Sequence, residues 1–163
     1  MEDIMTTQVG TQTSFIEAVK ELIELDYDAV EAYEVAIKNL EKSEYKKKLE
    51  SFKEDHHRHI KELSDFLSRC NEEAPTGPDN IKHLMAMGKV KLGALFGDKN
   101  ILKAMISNEE DTNEAYKRMN SRVEEASDPK IAQIIGKGLE DERRHKEWLV
   151  DTIEEMNNNE DIE

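Results

Sequence analysis

Glu142 and His145 stand three residues apart in the stretch Leu139 to Leu149, LEDERRHKEWL, and this pair constrains the chain more than any other feature. On a helix that spacing puts both side chains on one face, about one turn apart, where they can close on the same metal ion. Glu109 lies 33 residues upstream of Glu142 and is followed seven residues later by Tyr116. Seven residues is close to two turns, so carboxylate and phenol share a face. The midpoint between Glu109 and Glu142 falls in the turn Glu124 to Pro129. Two antiparallel helices joined there set the two carboxylates at the same height.

The first half of the chain carries a degraded copy of this arrangement. Asp26 is followed seven residues later by Tyr33, and His56-x-x-His59 begins 30 residues after Asp26, beyond a turn near Glu41 to Glu44. This is an internal repeat of helical hairpins. Asp26 corresponds to Glu109, Tyr33 to Tyr116, His56 to Glu142 and His59 to His145. Arg58 to Leu63 also reads much like Arg144 to Leu149.

With these residues in view the sequence resembles the rubrerythrin and ferritin-like superfamily, whose four-helix bundles hold two metal ions with inward carboxylates and Glu-x-x-His pairs. The resemblance covers about residues 15 to 153, and only the motifs of helices 3 and 4 match without substitution. It implies an all-α, antiparallel four-helix bundle with a long crossover between helices 2 and 3. It also implies a metal site built from Asp26, His56, His59, Glu109, Glu142 and His145. Two iron ions are the expected cofactor, with manganese or zinc as alternatives. The activity implied is oxidation of ferrous iron or consumption of oxygen or peroxide. The rival from another class is a stress-associated structural or interaction module that kept the bundle and lost the metal chemistry.

The charges pose a problem for two divalent ions. Four Glu and two His balance two such ions in the family pattern, whereas Asp26, Glu109 and Glu142 supply three negative charges here. A hydroxide or oxide, Glu34, or occupancy by a single metal would close the gap. Glu110, next to Glu109, is a fallback ligand. On helix 2 the pair Glu54-x-x-His57 matches the family's letters better than His56-x-x-His59, and would bring Glu31 into the site. The helical wheel opposes it, because Glu54 points away from the apolar face. Tyr33 and Tyr116 read as packing residues whose hydroxyls bond the ligands, and Arg143 and Arg144 as surface charges.

The remaining boundaries follow from local signals. Residues 1–13 are polar and aperiodic and are expected to form a disordered leader. Ser14 with Glu17 makes a capping box for helix 1, expected over 14–40. Phe15, Val19, Leu22, Val30, Tyr33, Ile37 and Leu40 share its apolar face, with Asp26 near the centre and Asp28 and Glu31 as surface acids. Helix 2 is expected over 44–69, helix 3 over 98–124 with Asp98 as N-cap, and helix 4 over 129–156 with Asp128 as N-cap and Pro129 as first residue. One domain, 14–156, is expected, with an acidic tail over 157–163 that frays. Between Asn80 and Phe96 a crossover helix rich in Leu and Met could bury Leu84, Met87, Leu92 or Phe96 against a second copy, giving a homodimer.

Composition narrows the partners. A net charge of −14 on 163 residues argues against nucleic acid and anionic membranes. The single cysteine, Cys70, excludes an internal disulfide and a Cys-x-x-Cys metal site. With no apolar run of membrane length and no signal peptide, a cytoplasmic location is expected.

Overall fold

The computed structural model describes residues 7–78 and 96–162. Four α-helices form there: α1 Phe15–Asn39, α2 Ser43–Arg69, α3 Asp98–Asn120 and α4 Pro129–Ile162. A single 3-10 turn, Val123–Glu125, lies between α3 and α4. No strand occurs among the described residues. None of these helices is long and apolar enough to cross a membrane.

Two of the helix starts, those of α1 and α4, rest on side-chain acceptors. Ser14 Oγ accepts from Glu17 N at 3.3 Å and opens α1. At α4, Asp128 Oδ1 accepts from Lys130 N at 2.9 Å and Pro129 takes the first helical position, where its missing N–H costs nothing. Asp98 behaves otherwise than expected. It is the first residue of α3, with Gly97 as N-cap, and its carboxylate accepts from Glu41 N and Lys42 N at 2.8 and 3.0 Å. It thereby ties the α1–α2 turn to the start of α3.

α1 packs on α2 and on α3, while α4 packs on α3 and on α2. The buried apolar residues form two clusters. The first takes Phe15 to Val30 of α1, Ile60 to Leu67 of α2, Ala115 to Met119 of α3 and Ile131 to Leu139 of α4. The second takes Ala32 to Leu40 from α1 and its C-cap, Tyr45 to Phe52, Ile101 to Met105, and Leu149 to Ile153. On α2, α3 and α4 the candidate ligands fall at the join between the two clusters, and on α1 Asp26 falls near the end of the first cluster's stretch, so a polar layer divides the core.

Three expectations need correction. Residues 7–13 of the leader are packed rather than disordered: Arg118 donates to the carbonyls of Thr7 and Val9, and Arg122 donates to those of Gly10 and Gln12 at 2.8 and 2.7 Å. Val9 joins the core, and Gly10 makes the turn with φ 95°, a left-handed conformation that costs glycine little. One arginine of α3 and one just beyond its end thus supply the donors that a polar, aperiodic segment needs to settle. Asp28, expected on the surface, is buried, because two neighbouring helices cover more of α1 than a single apolar stripe implies. The acidic tail stays helical through Ile162, with Lys99 Nζ bonding Glu160 Oε2 at 2.8 Å.

The crossover segment and its residues Leu84, Met87 and Leu92 lie outside the described residues. Phe96, at its edge, is exposed.

Candidate metal centre

The six residues singled out in the sequence all point into the polar layer, and none is more than 2% exposed. They fall into two overlapping groups whose ligand atoms could each hold a metal ion. One is Asp26, His56, His59 and Glu142; the other is His56, Glu109, Glu142 and His145. His56 and Glu142 belong to both. Of the alternatives, Glu34, Glu54, His57 and Glu110 are exposed and Glu31 is half-buried, and none joins either group.

Around Glu142 and His145 the spacing fits metal ligation better than hydrogen bonding, whereas Asp26 Oδ1 stands within hydrogen-bond reach of His56 Nδ1 and His59 Nδ1, at 2.8 and 3.3 Å. Glu142 Oε1 lies 3.5 Å from His56 Nδ1 and 3.5 Å from His59 Nδ1. His145 Nδ1 lies 3.5 Å from Glu109 Oε1 and 3.6 Å from Glu142 Oε2. These separations exceed ordinary N–H···O distances. Ligands bound at about 2.0–2.2 Å from a shared ion sit roughly 3–3.5 Å from each other. Moreover His56 Nε2, His145 Nδ1 and Glu142 Oε1 are fully buried with no hydrogen-bond partner among the described residues. Buried polar atoms are rarely left so, and two ions, one in each group, would satisfy all three.

The layer around these atoms repeats the pseudo-symmetry of the sequence, but across it. Tyr116 of α3 donates its hydroxyl to Asp26 Oδ2 of α1 at 2.7 Å, and Tyr33 of α1 donates to Glu109 Oε1 of α3. Burial, reinforced by Asp26 or Glu109, pushes both phenols well above their ordinary pKa, so both stay donors. Thr112 adds a hydroxyl bond to Glu142 Oε2 at 2.8 Å.

Two carboxylates that sequence reasoning passed over complete the pattern. His59 Nε2 bonds Asp141 Oδ2 at 2.9 Å, and His145 Nε2 bonds Asp55 Oδ2 at 2.8 Å. Each aspartate sits one residue before the inner ligand of the opposite hairpin, in Asp55-His56 and Asp141-Glu142. That identical repeat position was the available signal; the helical wheel hid it by placing both about 100° off the apolar face. Arg144, expected as a plain surface charge, bonds both Asp55 and Asp141 at 2.9 Å, and Arg58 also pairs with both.

The charges shift together. Burial opposes ionisation of Asp26, yet hydrogen bonds from His56 and His59 hold its carboxyl below the usual range. Burial likewise opposes ionisation of Glu109, and the His145 and His56 imidazoles hold it well below. Burial, joined by repulsion from Glu109, pushes the Glu142 carboxyl up. Burial opposes protonation of His59 and His145, but Asp141 and Asp26 raise His59 to about 9, and Asp55 and Glu109 raise His145 to about 10. Without a metal ion, protons on the histidines compensate the acids.

Because Asp55 and Asp141 fix the tautomer and orientation of His145 and His59, replacing either aspartate with asparagine is expected to weaken metal binding by about 10–100-fold. Metal titration of each variant checks this, and an unchanged affinity would show the carboxylates to be idle.

Fold and site together define a helical protein whose buried carboxylates and imidazoles could hold metal ions. Residues 100–163 match the family model described as Rubrerythrin, and residues 14–122 match the one described as Domain of unknown function (DUF2383). The second match spans more than half of the sequence, and the chain belongs to the DUF2383 family. The rubrerythrin match, which contains Glu109, Glu142 and His145, supports its assignment to the rubrerythrin and ferritin-like proteins. No curated protein and no solved structure matches the chain.

Proposed function

We propose that the protein is a metal-binding ferritin-like protein that holds two divalent metal ions, iron first among them, on Asp26, His56, His59, Glu109, Glu142 and His145. The observation that carries this is the convergence of three buried, unpartnered donor atoms, His56 Nε2, His145 Nδ1 and Glu142 Oε1, within the two donor groups. Both core clusters support an antiparallel bundle, since each takes one end of α1 and α4 with the opposite end of α2 and α3. α2 and α3 then run the same way, so residues between them must cross the length of the bundle, as in ferritin-like folds. The exposed ring of Phe96, at the edge of the crossover, is where a second copy would dock to form a homodimer.

Bound ferrous iron would supply the electrons that reduce oxygen or peroxide, being oxidised to the ferric state as it does so. The chain's residues hold and shield such a centre. Tyr33, Tyr116 and Thr112 keep the carboxylates oriented, Asp55 and Asp141 orient the histidines, and the apolar clusters on either side exclude water.

Protein purified from iron-replete cells is expected to carry two ions per chain by elemental analysis, and absence of metal would favour the structural module instead. Affinity should also depend on pH. His59 and His145 have folded-state pKa values raised to about 9 and about 10, above an unfolded value of about 6.5. Their contribution to the metal-free fold is therefore full below about pH 6.5 and is lost as pH rises through about 9–10. Metal needs the neutral imidazoles, so binding releases protons and tightens across that same window. Melting curves should show metal-free stability falling, and the metal-induced increment growing, between about pH 6.5 and 9. An increment that shrinks with pH would contradict histidine ligation.

A further inference from the structure

We propose that His56 bridges the two metal ions, binding one through Nδ1 and the other through Nε2, in a position where a carboxylate would otherwise stand between them. This rests on the metal-centre proposal above and specifies how the two ions share the site.

The three histidines are not equivalent. His59 and His145 each commit the outer ring nitrogen to an aspartate, Asp141 or Asp55, which leaves one nitrogen for metal. His56 bonds neither Asp55 nor Asp141: its one hydrogen-bond partner is Asp26, itself a candidate ligand, and its two nitrogens face different donor groups. Nδ1 lies 2.8 Å from Asp26 Oδ1 and 3.5 Å from Glu142 Oε1. Nε2 faces the other way, 3.8 Å from Glu109 Oε1, and has no hydrogen-bond partner among the described residues. Glu142 divides similarly, with Oε1 toward His56 and His59 and Oε2 toward His145. Each ion would then receive an aspartate or glutamate of its own, a terminal histidine, one oxygen of Glu142 and one nitrogen of His56. A ring flip changes nothing, because donors wait on both sides.

Charge points the same way. Asp26, Glu109 and Glu142 supply three negative charges against the four positive charges of two divalent ions, and Asp55 and Asp141 are paired with Arg58 and Arg144. With a neutral His56 one positive charge stays uncompensated in a layer closed to water, which is costly. Two metal–nitrogen bonds on one imidazole require its single N–H bond to break, the proton leaving to solvent. The imidazolate so formed carries the fourth negative charge. It would also space the ions more widely than the about 3.5–4 Å of common two-metal sites.

The test uses the full chain with uniformly 15N-labelled histidine, stripped of metal and then loaded with zinc ions alone. His56→Gln identifies the His56 resonances by their disappearance. The expected result is two zinc ions per chain, with both His56 ring nitrogens at metal-bound shifts and no ring N–H on His56. His59 and His145 should each keep one N–H, bonded to Asp141 and Asp55. A ring N–H retained on His56 with two ions bound, or a stoichiometry of one ion, overturns the bridge while leaving the metal centre standing. A chain that takes up no zinc and no iron overturns the metal centre and the bridge together.

Discussion

Replacing Gly138 with alanine is expected to destabilise the fold by about 1–3 kcal/mol, even though alanine is the better helix former by about 1 kcal/mol. A Cβ at this position would clash with the Tyr116 ring, approaching Cε1 most closely and Cδ1 at 2.9 Å. The ring has nowhere to go. It is buried, its centroid lies 5.1 Å from that of His59, and its hydroxyl is held by Asp26. Relief must come from α3 and α4 moving apart or from Tyr116 letting go of Asp26, and either loosens the polar layer. In metal-free protein the melting temperature should fall by roughly 2–4 °C for each kcal/mol lost. A melting temperature unchanged or raised would mean that α4 does not approach Tyr116 this closely.

The second large effect is on metal-dependent stability. Ions that bind only the folded chain stabilise it by about 2.7 kcal/mol at a free concentration 100 times Kd and about 4.1 kcal/mol at 1,000 times Kd. Glu142 contributes to both donor groups, so Glu142→Ala removes a ligand from each ion at once. The increment in melting temperature on adding metal, large in the unmodified chain, should then nearly vanish. The same change should do little harm to metal-free protein, since the Glu142 carboxyl sits where burial and Glu109 already disfavour its charge. An increment that survives intact would place the ions elsewhere.

Much of this was legible in the sequence because the polar residues interrupt apolar stripes at helical spacing. Helical periodicity located Asp26, His56, His59, Glu109, Glu142 and His145 on inward faces, and on α2 it outweighed the family's letters, which favoured Glu54 and His57, both exposed. The rubrerythrin match is confined to the half where Glu109, Glu142 and His145 keep the motif, and stops short of the half where His56 takes a carboxylate's place. What periodicity could not supply were contacts made from the flanks. Asp55 and Asp141 lie off the apolar stripe yet reach histidines on the facing helix. Nor could a polar leader announce its own order, because the donors that hold residues 7–13 are arginines more than a hundred residues away, at 118 and 122. Asp98 was legible as a capping residue, but the backbone it serves belongs to a different turn.

The most direct test of the metal centre is metal content per chain, by elemental analysis, across four variants loaded under identical conditions. His59→Ala and Glu142→Ala are expected to lose metal, because both side chains are buried within the donor groups. Glu54→Ala and His57→Ala are expected to retain two ions, because both side chains point into solvent. Loss of metal from the Glu54 and His57 variants, with retention in the other two, would contradict the account and move the site to the opposite face of α2.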